Sequence, residues 1–217
     1  MLPSLGWLAG AAASAILLRD RLPPAALALF ALVGCLPAVI ALQRGWVRVL
    51  WADRLDRARR DAEAAPNDPG AHYELGVMCA LRGEDEAARA AFERARSISP
   101  GHAPSTVGLG HLLADNDDLG GALALFEQAA ETDPGLFSAH FGAASVQYQR
   151  EQYARAVTAY ERALKVEPND GFALAGMSRC LLELGEIDRA RDAAAKAAAN
   201  GVTDDDLSRD LRAAIEE

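Results

Sequence analysis

The chain has 217 residues, 51% of them hydrophobic, and its 31 Asp and Glu outnumber its 22 Lys and Arg to give a formal net charge of −9. This length suits one domain with an appendage, and the acidic balance disfavours binding to nucleic acid. The charge is unevenly distributed: residues 1–60 hold eight Arg against three Asp, and residues 61–217 hold fourteen Lys and Arg against twenty-eight Asp and Glu.

Two apolar stretches open the chain and are separated by a short polar break. They cover residues 2–18 and 25–42, with Pro23 and Pro24 in the break. Each is near the lower limit of the about 17–25 residues that cross a bilayer. We therefore predict a transmembrane helical hairpin over residues 1–43. One alternative is a signal peptide followed by a single span, which the lack of a basic residue before the first apolar run disfavours; another is a buried soluble hairpin.

Small residues recur at every fourth position of the first predicted span, at Gly6, Gly10 and Ser14. This spacing places them on one helix face, where small side chains let membrane helices approach closely. We expect this face to pack against the second span, with another membrane protein as the alternative partner. Cys35 ends a Leu-Val-Gly-Cys string that resembles a bacterial lipoprotein cleavage site, but apolar residues continue after it and argue against lipidation.

Residues 44–66 are predicted to form a juxtamembrane amphipathic helix. The alternative is half a repeat that ends at Pro66 and packs on the first full one. Trp46 and Trp51 would lie near the membrane interface, where tryptophan is enriched. Six arginines follow the second span closely, against two in the polar break, and such residues favour the cytoplasmic side and attract anionic lipid headgroups. We therefore expect an inner-membrane protein of a bacterium, with the rest of the chain in the cytoplasm. The six arginines are Arg44, Arg48, Arg54, Arg57, Arg59 and Arg60.

A repeat of 34 residues organises the remainder of the chain, and a period of this length is typical of stacked helix–turn–helix units. Prolines recur with this period at Pro66, Pro100, Pro134 and Pro168. A string of Ala, an aromatic residue and Ala recurs at the same interval, on one helix face in each copy. Its copies are Ala88, Phe92 and Ala95; Ala122, Phe126 and Ala129; Ala156, Tyr160 and Ala163; and a weaker Ala190, Ala194 and Ala197.

These positions resemble the motif of the tetratricopeptide repeat family over residues 69–204, in three copies and a divergent fourth. The resemblance implies an all-α helical solenoid of about four repeats. Residues 205–217 are predicted to form a capping helix that covers the last apolar face of the stack. The early bulky position, which is tryptophan in the family, is His72, Thr106, His140 and Leu174 here.

No constellation of catalytic or metal-binding residues stands out in the sequence. The cysteines, Cys35, Cys79 and Cys180, lack metal or redox spacing. Residues 115–120 resemble the start of a calcium loop, but the twelfth position of that loop is Phe126 instead of glutamate. We therefore expect no enzymatic activity, no cofactor and no bound metal.

The resemblance implies that a partner is recognised in a groove lined by the first helix of each repeat. The side chains expected in this groove are Tyr73, Val77, Val107, His111, Phe141, Ser145, Tyr148 and Arg179. This mostly apolar and aromatic set suits a peptide with apolar anchors. The expected function is a membrane-tethered scaffold, assembly factor or accessory subunit of a membrane protein complex. The alternative is a cytochrome c maturation-type chaperone with an exported repeat domain, although the polar break is shorter than the loop expected there.

Overall fold

The computed structural model of the protein describes residues 54–216, and within this range the chain forms helices and loops with no strand. Residues 57–216 belong to one compact unit. Residues 54–64 are helical. The helices that follow are α1 (Pro69–Ala80), α2 (Asp85–Ile98), α3 (Ala103–Asp115), α4 (Leu119–Thr132), α5 (Phe137–Gln149), α6 (Tyr153–Val166), α7 (Gly171–Glu183), α8 (Ile187–Ala199) and α9 (Asp205–Glu216).

Aspartate side chains cap the N-termini of α1, α4 and α7. Asp68 accepts a hydrogen bond from the backbone N–H of Gly70 at 2.9 Å, and Asp118 accepts one from Gly121 at 2.9 Å. Asp170 caps α7 in the same way. These carboxylates satisfy backbone donors that lack a partner within the helix, and they complement the positive end of the helix dipole. The starts of these three helices are therefore encoded locally.

The turn between the two helices of each repeat contains one residue in the left-handed backbone region. These residues follow one another at the period of the repeat and are Gly83, Asp117, Glu151 and Gly185, with φ of 72°, 61°, 58° and 75°. Glycine adopts this conformation without a steric penalty, whereas the Cβ of Asp or Glu crowds the backbone there. All four repeats therefore use the same turn, including the two in which its residue is not glycine.

The aromatic residue of the motif in each of the first three repeats sits between two first helices. Phe92 is 2% exposed and Phe126 is 1% exposed. A Cβ added to either of the glycines that face Phe92 would lie within 2.6 Å of its ring, so only glycine leaves room for the aromatic side chain. The facing glycines are Gly76 and Gly108 for Phe92, Gly110 and Gly142 for Phe126, and Gly176 for Tyr160.

The helices stack in chain order, and the first helices of the four repeats also contact one another in series. These helices, α1, α3, α5 and α7, form the surface that we call the first-helix face. At the end of the stack, Leu207 and Leu211 of α9 belong to the same buried cluster as Ala190 and Ala193. The last helix therefore covers apolar surface of the fourth repeat, as a solenoid requires.

Two histidines at equivalent repeat positions each form a bond that ties a first helix to the proline before it. The Nε2 atom of His72 lies 3.1 Å from the carbonyl oxygen of Pro66, and that of His140 lies 3.0 Å from the carbonyl oxygen of Pro134. Both side chains are half-buried. They occupy the early position of the motif and replace an apolar contact with a hydrogen bond.

The predicted all-α solenoid is confirmed by four stacked helix pairs and α9. The predicted hairpin over residues 1–43 lies outside the described residues, as do Cys35 and the small residues Gly6, Gly10 and Ser14. Among residues 54–216, no helix combines the length and the apolar character that crossing a membrane requires.

Candidate functional site

A cleft of about 510 Å³ opens on the first-helix face between the third and fourth repeats. Helices α5, α6 and α7 form its walls together with the segment that precedes α9. Four aromatic side chains dominate the lining, so we call it the aromatic cleft. The lining residues are Phe141, Tyr148, Tyr160, Phe172, Ala175, Gly176, Arg179, Val202, Thr203 and Asp204.

Tyr160 forms the floor of the aromatic cleft and is 4% exposed. Its ring packs edge-on against Phe141, with 5.8 Å between centroids, and Phe141 in turn stacks on Phe137 at 5.5 Å. Burial raises the pKa of Tyr160, and the hydrogen bond that it forms with Ser145 offsets part of this rise. The phenol is therefore neutral at physiological pH, and the floor of the cleft is apolar with a single polar tip.

Arg179 and Asp204 form an ion pair at the rim of the aromatic cleft. The Nε atom of Arg179 donates to Oδ2 of Asp204 at 2.9 Å, and its Nη2 atom donates to the same oxygen. The bond to Asp204 raises the pKa of Arg179, and a hydrogen bond with Tyr148 contributes. The guanidinium group therefore stays charged, and its charge is offset by the carboxylate beside it.

Asp204 has a second role, since its other oxygen caps the last helix. Oδ1 of Asp204 accepts a hydrogen bond from the backbone N–H of Leu207 at 3.0 Å, and its backbone carbonyl accepts from the hydroxyl of Ser208 at 2.8 Å. One carboxylate thus holds the start of α9 and the arginine of α7 together. This arrangement fixes the wall of the cleft that residues 202–204 provide.

Phe172 separates the aromatic cleft from a second cleft of about 550 Å³. Its side chain is 67% exposed, which is unusual for a large apolar residue. The equivalent positions of the first three repeats hold Gly70, Pro104 and Ser138. The second cleft, which we call the corner cleft, is lined by Val166, Glu167, Pro168, Asn169, Asp170, Gly171, Phe172, Asn200 and Val202.

Half of the side chains predicted for the groove gather at the aromatic cleft. Phe141, Tyr148 and Arg179 line it, and Ser145 bonds to its floor through Tyr160. All four lie on α5 or α7. The third and fourth repeats therefore bring these predicted residues into one site.

The other predicted residues lie on α1 and α3, away from this cleft. Tyr73 packs against Phe92 at 5.9 Å and His102 at 5.7 Å between ring centroids. Val107 is buried and Val77 is half-buried. These three contribute at least as much to packing between helices as to the open surface.

His111 lies on α3 with its ring edge-on to Phe126, at 5.0 Å between centroids. More than a third of its surface remains exposed. Partial burial of the imidazole lowers the pKa of His111, and the negative charge of the nearby Asp115 opposes this shift. His111 is therefore a polar group on the first-helix face that is mainly neutral at physiological pH.

Several lining residues of the aromatic cleft are not among the residues that the sequence predicts for the groove, and three of them bear on its chemistry. The sequence places Tyr160 in the packing motif alone, although this residue also lines the cleft. Phe172 carried a usable signal, because a large apolar residue replaces small ones at its repeat position. No feature of the sequence marks Asp204 as a site residue, since the sequence does not show that its loop folds back onto α7.

No group of three or more His, Cys, Asp or Glu side chains arranged to hold a metal ion occurs among the described residues. Cys79 and Cys180 are free thiols and both are buried. Burial raises the pKa of Cys180 to about 12, so its reactive thiolate form is suppressed.

Family models of the tetratricopeptide repeat match residues 52–103 and residues 113–170 and 147–215. Together these matches cover more than half of the chain. The chain therefore belongs to the tetratricopeptide repeat family. No curated protein matches it at the level of sequence.

Solved structures with the same fold include other repeat proteins of bacteria. PilF of Pseudomonas aeruginosa is 20% identical, with a TM-score of 0.70 over 83% of this chain and 84% of its own. A thermophilic repeat protein of Thermus thermophilus, TTC0263, is 19% identical, with a TM-score of 0.62 over 80% of this chain and 95% of its own. YrrB, described as having an unusual peptide-binding site, is 20% identical, with a TM-score of 0.57 over 66% of this chain and 74% of its own.

Proposed function

We propose that the protein is a membrane-tethered scaffold, assembly factor or accessory subunit of a membrane protein complex, and that it binds a segment of its partner on the first-helix face. The observation that carries this proposal is the aromatic cleft, in which four aromatic side chains converge beside one ion pair. Large apolar surfaces with a few polar groups are typical of binding sites. Repeat proteins of this class present such surfaces to peptides and proteins.

Aromatic side chains in a cleft are also the residues that contribute most to binding energy in interfaces. Tyr148 and Phe141 are half-buried, so each is held by its neighbours yet offers one side to a ligand. Little conformational entropy is lost when such preorganised side chains bind. YrrB offers a parallel, because it shares the fold and is described as having a peptide-binding site.

The contribution of the cleft can be tested by affinity purification from native membranes in mild detergent. We expect the double substitution Phe141→Ala and Tyr148→Ala to lose the co-purified partner, while circular dichroism shows that the helices remain. The matched control is Glu127→Ala with Arg162→Ala, which changes two exposed residues of second helices. Retention of the partner by the cleft variant, together with its loss on deletion of residues 1–42, would place the contact in the membrane segment.

The membrane tether and the cytoplasmic location of the repeats remain predictions that rest on the sequence. Their support is the pair of apolar stretches in residues 1–43 and the arginines that follow them. A reporter fused after Glu217 tests the orientation. Fluorescence of a cytoplasmic reporter supports the proposal, whereas alkaline phosphatase activity would place the repeats outside and favour the exported chaperone of the cytochrome c maturation type.

A further inference from the structure

The first-helix face carries almost no basic side chains. Among the residues of α1, α3, α5 and α7, Arg179 is the single Lys or Arg, and Glu74, Asp115 and Glu183 are acidic. Asp204 already offsets the charge of Arg179 with two hydrogen bonds. Apart from this paired arginine, the charged side chains of the face are therefore acidic. Residues 61–217 as a whole are acidic as well, with fourteen Lys and Arg against twenty-eight Asp and Glu.

The corner cleft extends this pattern beside the aromatic cleft. Glu167 is exposed on its rim, and Asp170 lies on its wall, where its Oδ1 accepts from the N–H of Ala173 at 2.7 Å. No lysine or arginine is among the lining residues of this cleft. Phe172 and Val202 line both clefts, so a ligand that covers Phe172 contacts an aromatic surface on one side and carboxylates on the other.

We propose that the two clefts together bind a partner segment in which a bulky apolar or aromatic residue is flanked by lysine or arginine. The apolar residue enters the aromatic cleft against Phe172 and Tyr148, and the basic residue lies over the corner cleft near Glu167. Charge complementarity selects this partner, because opposite potentials across an interface steer association and exclude like-charged competitors. This inference rests on the proposed function and specifies its partner.

Asp204 supports the charge preference of the corner cleft, because it neutralises the one cation of the adjacent aromatic cleft. The carboxylate of Asp204 offsets the charge of Arg179, so Arg179 does not repel a basic ligand. Without that charge, Arg179 becomes an exposed cation at the rim of the cleft, where it attracts acidic ligands instead. The substitution Asp204→Asn tests this cleanly, because asparagine keeps the oxygen that caps α9 and is as good an N-cap as aspartate.

The experiment is a selection from a random-peptide library displayed on phage, with the full-length protein immobilised in mild detergent. Enriched peptides are synthesised with a fluorescent label, and their affinities are measured by anisotropy. We expect the enriched peptides to combine an aromatic or large aliphatic residue with Lys or Arg. Phe172→Ala should weaken their binding about tenfold or more, as expected for an interface hot spot.

The matched control is Leu81→Ala, since Leu81 is also a large, exposed apolar residue, at 60%, but lies on the first repeat. It should leave affinity within about twofold of the wild type. The basic peptides should bind Asp204→Asn more weakly, and selection on this variant should enrich Lys and Arg less strongly than selection on the wild type. All three results together support the proposal.

Other outcomes overturn it in distinguishable ways. Enrichment of acidic peptides by the wild type, or equal binding to the wild type and Asp204→Asn, would refute the assigned charge preference. Binding that survives Phe172→Ala but is lost with Tyr73→Ala would move the site to the first repeat while the proposed function stands. If the wild type enriches no peptide, peptide recognition itself fails, and the proposed function with it.

Discussion

The first three repeats and the fourth place their aromatic side chains differently. In the first three, Phe92, Phe126 and Tyr160 occupy one motif position and are buried between first helices. The fourth repeat has Ala194 at that position. Its apolar surface is covered instead by Leu207 and Leu211 of α9. The fourth repeat therefore depends on the capping helix for the packing that the others obtain from their own aromatic residue.

At one surface position, it is the fourth repeat that carries the large aromatic side chain and the first three that lack it. Phe172 of the fourth repeat is exposed on the first-helix face, whereas the equivalent positions of the first three hold glycine, proline and serine. Arg179 likewise stands where the earlier repeats have Val77, His111 and Ser145. The positions that keep the repeat pattern thus build the core and the floor of the aromatic cleft, whereas the exposed Phe172 and the rim residue Arg179 depart from the pattern. The predictions below test the two halves of this contrast.

The largest effect is expected from Phe126→Ala. The side chain is 1% exposed and fills the space between α3, α4 and α5. Truncation of a buried phenylalanine to alanine costs about 3–5 kcal/mol. The midpoint of urea unfolding should fall accordingly. The neighbouring Glu127→Ala, at an exposed position, should change stability little, and equal effects of the two substitutions would contradict the assigned packing.

A smaller loss of stability is expected from Gly142→Ala. The added Cβ would lie 2.6 Å from the ring of Phe126, so the ring or the helix must move. Overpacking of this kind costs about 1–3 kcal/mol, which outweighs the gain in helix propensity of up to about 1 kcal/mol. Gly120→Ala is the matched control, because its Cβ would have no neighbour nearer than 3.8 Å. Thermal melts should therefore shift downward for Gly142→Ala and upward or not at all for Gly120→Ala.

The solenoid was predictable from the sequence because its causes are periodic. The prolines, the alanines and the aromatic residues of the motif recur at the same interval, and helix geometry places each set on one face. The sequence analysis does not single out the glycines Gly108, Gly142 and Gly176, although they follow the same period. Their role depends on contact with the aromatic residue of the preceding repeat, which only the assembled stack shows.

The site was predictable in part. Residues Phe141, Ser145, Tyr148 and Arg179 were named from their positions on first helices, and they do lie together. Asp204 was not, because its contact with Arg179 joins residues 25 positions apart through a loop whose path no local pattern encodes. Aperiodic, long-range contacts of this kind are the part of the fold that sequence reasoning does not reach.

A gain in stability is expected from Glu151→Gly. Glu151 has φ of 58°, in the same turn position where the first and fourth repeats have glycine. The left-handed conformation costs a non-glycine residue about 1–2 kcal/mol, and the greater flexibility of glycine in the unfolded chain removes part of the benefit. We expect a net stabilisation of up to about 1 kcal/mol by chemical denaturation. Gly185→Ala should have the opposite sign, and stabilisation by both would refute the role assigned to this turn.

The smallest expected effect is on the pH dependence of stability. It is tested at His111 and Arg179, which occupy equivalent repeat positions. Burial lowers the pKa of His111 in the folded state, so the unfolded chain binds the proton more readily. The stability contributed by the neutral ring is therefore fully present above the unfolded pKa of about 6.5 and is lost as the pH falls through the lower folded value.

We expect the melting temperature of the wild type to fall more between about pH 8 and pH 5 than that of His111→Gln, which does not titrate in this range. Arg179→Gln is the control from the fourth repeat, because arginine remains charged throughout and its removal should leave the pH dependence close to that of the wild type. If His111→Gln retains the full pH dependence, the titrating group lies elsewhere. In that case His102 is the next residue to test, because burial lowers its pKa as well.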